Sequence, residues 1–338
     1  MARPAARDEG RHQPGPERLW NESYYFDWFQ PDGSLGGYVR VGFLPAQQVV
    51  WYWACLVGPD RSLVTVVEHD VPLPASASSL ELRGPGLWAD HVIDEPLDRL
   101  TLSLESFGLV VDDPADMYRS PRGEIVPFGF ELEWTTDRAA YLWPPVTPRY
   151  EIPCMVSGEV LLGGERIAID GFGQRDHSWG AARDWWSMSW CWSAGRFDDG
   201  SRWHTAGGFF PDNSWGVGYE LPAVGDAFEE FDSVVISERL GREGLVERAT
   251  IEIDPPPALP SSPCLTAFST KGCKHKNGTV TPSTSGAICK VTLSRHMRPL
   301  PGPSRLSATA EASSSKIYLA ITSVVLTLPL NMASSSRF

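Results

Sequence analysis

Residues 171–180 read Gly-Phe-Gly-Gln-Arg-Asp-His-Ser-Trp-Gly, and Arg183, Asp184, Trp185 and Trp186 follow closely. No other stretch of the chain gathers as many chemically able side chains. Asp176 can act as a general acid where burial raises its pKa. His177 can serve as acid, base or orienting donor. Arg175 and Arg183 can hold a carboxylate through paired N–H donors. Trp179, Trp186, Trp190 and Trp192 offer broad apolar faces whose π clouds stabilise developing positive charge. Gly171 and Gly173 allow another group to come close to the backbone. On an extended strand neighbouring side chains point to opposite faces. Asp176 and His177 are therefore no local acid–base dyad, and only one of them can face a given cavity. A structural role fits the same residues: Asp176 satisfying amides at a sharp turn, with Trp179 plugging a barrel end.

The remaining candidates are sparser. His204, in Arg202-Trp203-His204, and His91, in Trp88-Ala89-Asp90-His91, can line a pocket or be ordinary hydrogen-bonded histidines. The run Asp112, Asp113, Asp116 lacks the glycine and terminal glutamate of a calcium loop. Cys273 and His275 have no recognised zinc spacing. Gly171-x-Gly173-x-x-Asp176 lacks the third glycine and the helix of a dinucleotide fingerprint. No metal and no cofactor is expected.

The elements that must position these residues read as strands. Trp51–Val57 is a β-rich run closed by Gly58-Pro59-Asp60. Leu100, Leu102 and Leu104 alternate with polar residues, as do Phe128, Phe130, Leu132 and Trp134. Trp186, Met188, Trp190 and Trp192 alternate with Ser187, Ser189, Cys191 and Ser193. Asp32-Gly33, Gly163-Gly164 and Asp199-Gly200 are hairpin signals between such runs. No long 3.6-residue apolar period interrupts them, so the pattern predicts an all-β sandwich or barrel.

Composition divides the chain. Its formal net charge is −13, which argues against nucleic acid as a partner. Residues 1–254 hold 41 acidic residues, 20 Arg and no Lys, whereas 255–338 hold one acidic residue, Glu311, against nine basic ones. All 14 Trp lie at or before Trp215. The polar N-terminus has no apolar h-region and Cys55, Cys154 and Cys191 stand apart, so a cytoplasmic location is expected. Ile317–Leu330 is too short for a spanning helix. We therefore expect no membrane span.

GFGQRDHSWG resembles the motif region of the AttH-like and carotenoid 1,2-hydratase (hydroxyneurosporene synthase) superfamily. So do its flanks EVLLGGERIAID and RDWWSMSWCWSAGRFDDGSRWH. The first half is similar through NESYYFDWFQPDGSLGGYVRVG, WYWACLVGP, VPLP and GLWADH. The resemblance covers roughly residues 19–260, and the closest match is an uncharacterised bacterial branch. It implies two tandem lipocalin-like antiparallel β-barrels: residues 19–150, then an incomplete second barrel over 151–259. Residues 1–18 would be a disordered arm, and 260–338 a divergent low-complexity tail, disordered or misread.

By the same resemblance the protein would be a hydratase- or lyase-type enzyme on a bulky hydrophobic small molecule, such as a terpenoid, steroid, polyketide or carotenoid-like compound. Asp176 would protonate an alkene. His177 and Arg175 would position the acid, and Trp179, Trp186, Trp190, Trp192 and His204 would meet the substrate. A non-catalytic carrier of a hydrophobic ligand is the alternative. The sequence leaves oligomeric state open.

Overall fold

The computed structural model describes residues 3–180 except 60, 119–120 and 144–146, and residues 189–254 except 198, 210–213 and 241–245. Beyond these it describes the short strands at 266–272, 284–285, 287–293 and 318–321. Among the described residues the regular structure is strand with three short 3-10 turns, and no helix is long and apolar enough to cross a membrane.

The first sheet holds β1 (Asn21–Phe29), β2 (Gly36–Leu44), β3 (Val49–Gly58), β4 (Arg61–Pro72), β5 (Leu82–Gly84), β6 (Leu87–Glu95), β7 (Arg99–Val111), β8 (Glu124–Thr136), β9 (Tyr141–Leu142), β10 (Arg149–Leu162) and β11 (Glu165–Gly180). Its order is β4-β3-β2-β1-β11-β10-β8-β7-β6-β5. Leu63, Val64 and Thr65 of β4 pair with Val111, Val110 and Leu109 of β7. That pairing closes β1, β2, β3, β4, β7, β8, β10 and β11 into an antiparallel ring, so these strands have no free edges.

The alternation read in the sequence decides what fills the ring. Phe26 and Trp28, Val39 and Val41, Tyr52 and Ala54, Leu100 and Leu102, and Leu132 and Trp134 all join one buried core. The intervening residues of β1, β2 and β3 point outward. Tyr25, Phe29, Tyr38, Trp53 and Cys55 form a second apolar layer with Trp192, Ala194 and Ala206 of the later strands. The outside of this barrel is thus partly covered by a second sheet.

That second sheet comprises β12 (Ser189–Arg196), β13 (Arg202–Phe209), β14 (Ser214–Leu221), β15 (Glu229–Glu230), β16 (Ser233–Leu240), β17 (Val246–Asp254), β18 (Thr266–Gly272), β19 (Thr284–Ser285), β20 (Ala287–Leu293) and β21 (Tyr318–Ile321). Its order is β15-β14-β13-β12-β18-β21-β20-β17-β16, with β19 paired to β18. The pairs β17–β20 and β18–β21 are parallel and the others antiparallel. Its path is open among the described residues.

Three boundary expectations change. The first sheet runs to Gly180 rather than stopping at residue 150, because β10 and β11 close the ring against β8 and β1. Residues 3–18 are an ordered arm with a 3-10 turn at Ala6–Glu9. The reason is electrostatic: Arg175 points into the first barrel, and buried Glu9 is its anion at 2.5 Å. Finally, strands at 266–272 and 287–293 connect the supposed tail to the second sheet through β12 and β17.

Candidate functional site

Strand β11 carries both halves of the candidate motif. Its path is set by Gly171 and Gly173, where an added Cβ would collide with the Phe29 and Asp27 carbonyl oxygens of β1. From there the side chains alternate. Arg175, His177 and Trp179 face the inside of the barrel and the N-terminal arm, while Gln174 and Asp176 face the junction with the second sheet. Asp176 and His177 lie on opposite faces, as the strand geometry requires. The aspartate does not look into the barrel lumen.

The junction holds a dense polar cluster within aromatic walls. Arg149 of β10 donates through Nε to Glu151 Oε1 at 2.7 Å and through a terminal nitrogen to Asp176 Oδ2 at 2.8 Å. Trp192 Nε1 donates to Glu151 Oε1 at 3.1 Å. Gln174 Nε2 donates to Glu151 Oε2 at 3.1 Å and to the Tyr219 hydroxyl at 2.9 Å. His204 Nε2 stands 3.7 Å from Glu151 Oε1, beyond hydrogen-bond reach, and neither of its ring nitrogens has a hydrogen-bond partner among the described residues. The His204 ring lies 5.0 Å from that of Trp192 and 5.4 Å from that of Tyr219. Asp27 completes the group: its Oδ1 accepts from the Gln174 backbone N–H at 2.7 Å.

Burial sets the protonation states. Glu151 is fully buried, and desolvation pushes its pKa above the usual carboxylate range although Arg149 pulls the other way. Asp27 is raised well above its ordinary value, again first by burial. His204 falls well below the normal imidazole value through burial and the charge of Arg149, so it is neutral. Arg149 is held charged against its own burial by Asp176 and Glu151. Arg40, beside Asp176, is lowered to about 10 by burial, with Asp176 opposing. Arg149 thus bonds to both carboxyls, Arg40 adds its charge beside Asp176, and burial shifts Glu151 toward its neutral form.

The expected site residues divide accordingly. Asp176, Trp192 and His204 come together at the junction. Arg175 does not support Asp176; it lies on the other face, paired with Glu9, which also accepts from the Tyr150 hydroxyl at 3.0 Å and the Leu97 amide at 2.6 Å. Trp179 stacks on His12 of the arm, with ring centroids 3.8 Å apart. His177 stacks on Tyr24 at 3.9 Å. Trp190 lies on β12 opposite Gly208. Trp186 lies outside the described residues. Sequence reasoning missed Arg149, Glu151, Asp27 and Tyr219. A signal existed for the first three. Arg149 and Glu151 alternate with Tyr150 and Ile152, and Asp27 interrupts the aromatic run Tyr24–Phe29.

A closed antiparallel ring covered by a second sheet, with a buried carboxyl cluster between them, defines an all-β protein of lipocalin-like class. The family described as Domain of unknown function (DUF7064) matches residues 5–293, and the chain belongs to that family. The matched range includes most of the arm and passes residue 260, so both ends reach beyond the 19–259 body read from the sequence. No protein with a curated description matches the chain. Among solved structures the chain is similar to a putative AttH from Nitrosomonas europaea, at 16% identity over 68% of this chain and 75% of that chain, with a TM-score of 0.49. It is similar to kievitone hydratase from Nectria haematococca at 11% identity, 71% and 75% coverage and a TM-score of 0.49. It is also similar to CghA, solved with Sch210972, at 11% identity, 80% and 82% coverage and a TM-score of 0.46.

Proposed function

We propose that this protein is a hydratase- or lyase-type enzyme that adds water to, or removes it from, a carbon–carbon double bond of a bulky hydrophobic small molecule. The observation that carries the reading is the pair Glu151 and His204. A buried carboxyl favoured in its neutral form lies 3.7 Å from a buried neutral imidazole whose two nitrogens have no hydrogen-bond partner among the described residues. That is an acid and a base in the states each needs.

In the hydration direction Glu151 gives its proton to one alkene carbon, and the π pair forms the new C–H bond. Positive charge develops on the other carbon, facing Trp192, Tyr219 and the carboxylate of Asp176. Water attacks that carbon while His204 takes its proton. Glu151 is then an anion and His204 a cation. Their spacing lets the proton return from imidazole to carboxylate, directly or through one water, and restores both groups. Asp176, the acid expected from sequence, becomes the counter-charge, with both Arg149 and Arg40 beside it. Cytoplasmic residence agrees with three buried free thiols, Cys55, Cys154 and Cys191.

The test is a Glu151→Gln variant beside wild type, assayed with a panel of hydrophobic alkenes for incorporation of labelled oxygen from water. Quenching of the tryptophan fluorescence reports binding. Retained binding with lost incorporation supports the proposal. Undiminished incorporation by the variant overturns it. A wild type that binds the panel and converts none of it is instead a carrier.

A further inference from the structure

We propose that His12, Glu22 and His177 form a binding site for a divalent first-row transition metal ion, between the N-terminal arm and the first barrel. The three side chains come from three separate stretches: the arm, β1 and β11. Each offers one ligand atom, and those atoms lie within 4.8 Å of one another. Glu22 Oε1 is 2.7 Å from His12 Nδ1 and 3.1 Å from His177 Nε2. Donors bound to one tetrahedral zinc stand about 3.3 Å apart, so the two Glu22 contacts are close to that spacing. The imidazole nitrogens, within 4.8 Å of each other, would draw together by movement of the partly exposed His12 ring.

The outer shell is already built. His177 Nδ1 lies 2.8 Å from the Asp8 carbonyl oxygen and 3.2 Å from the Tyr150 hydroxyl. A carbonyl oxygen only accepts, so the ring hydrogen sits on Nδ1 and the Nε2 lone pair points at Glu22. A metal ion between them would bind both the lone pair and the oxygen, and His12 brings a second imidazole nitrogen to the same oxygen. The rings are also held in place: His12 lies flat on Trp179, and His177 lies flat on Tyr24. Such orientation of metal-binding imidazoles by carbonyls and packing is characteristic of built sites.

Glu22 and His177 are each 1% exposed, while the His12 side chain is 22% exposed. The ion would enter from the partly exposed His12 side, and water would take the fourth position. Two imidazoles and one carboxylate suit Zn2+ and its neighbours rather than Ca2+ or Mg2+. The arm supplies both a ligand and the Asp8 carbonyl, so metal binding would fasten the arm to the barrel. This site is on the opposite face of β11 from Glu151 and stands or falls separately.

The full chain, stripped with chelator and dialysed, is titrated with Zn2+ in a calorimeter. The expected result is one ion per chain with a Kd below about 1 μM and a rise in Tm. His12→Ala and Glu22→Gln should each weaken binding on the order of 100-fold. His12 is partly exposed on the arm, so its variant keeps the fold even if Glu22→Gln does not. Equal zinc affinity in wild type and His12→Ala, or no binding by wild type, overturns the assignment.

Discussion

Glu151 and Asp176 stand directly opposite each other across β10 and β11, and one guanidinium, that of Arg149, bonds to both. Like charges facing each other across a strand pair repel. Burial of the pair raises the pKa of Glu151, with its bond to Arg149 opposing the rise. The arrangement tunes an acid by competition: Asp176 draws on Arg149, and Glu151 is left nearer its neutral form.

The competition gives the first test. Asp176→Asn leaves Glu151 as the only carboxylate on Arg149, which favours the Glu151 anion and lowers its pKa. The alkaline limb of kcat, where activity falls as Glu151 loses its proton, should move down by roughly one pH unit. A pH–rate profile of the variant checks this. A lower rate with the limb unmoved would mean that Asp176 supports the fold and not the acid.

His204→Phe separates activity from stability. The imidazole keeps two buried nitrogens without a hydrogen-bond partner among the described residues, which costs roughly 1–3 kcal/mol for such a group. Phenylalanine fits among Trp192, Tyr219 and Trp143 without that cost. Turnover should fall at least about 100-fold, as for a lost general base, while Tm holds or rises. A variant less stable than wild type would show that His204 holds structure.

Asp27→Asn probes the third carboxyl. The folded pKa of Asp27 lies well above its unfolded value. Its contribution to stability is therefore complete below the unfolded pKa and is lost as pH rises through the folded one. Asparagine resembles the protonated form and still accepts from the Gln174 amide. Relative to wild type, the variant should gain Tm at pH 8 and gain nothing at pH 4. Parallel Tm curves for the two proteins would contradict this.

Glu9→Ala tests the docking of the arm. The substitution leaves Arg175 buried without its anion, a loss on the order of 3–5 kcal/mol. Chemical denaturation should show that drop, with the arm becoming sensitive to trypsin at Arg7 and Arg11. A loss below about 1 kcal/mol would mean that Arg175 finds another partner.

How much of this was legible follows from the physics of each residue. Leu100, Leu102 and Leu104, and Phe128 through Trp134, announced their faces because period-two alternation is local. The two glycines before the motif announced a close approach, and β1 supplies it. The opposition of Asp176 and His177 also followed from strand geometry alone. The acid did not. Whether Glu151 or Asp176 keeps a proton depends on which carboxyl shares Arg149, which strand lies opposite and what covers them, and none of these is local. His12 was passed over for a similar reason. A polar, proline-bearing arm gives no periodic signal, and its order comes from Glu9 meeting an arginine 166 positions away.

Strand β11 works as a partition between two compartments that never see the same atoms. Changes at 174 or 176 act on the junction while 175 and 177 keep the leading segment tethered. Selection could in this way diversify what the protein accepts without renegotiating how it folds, simply by drawing changes from alternate places along one ribbon.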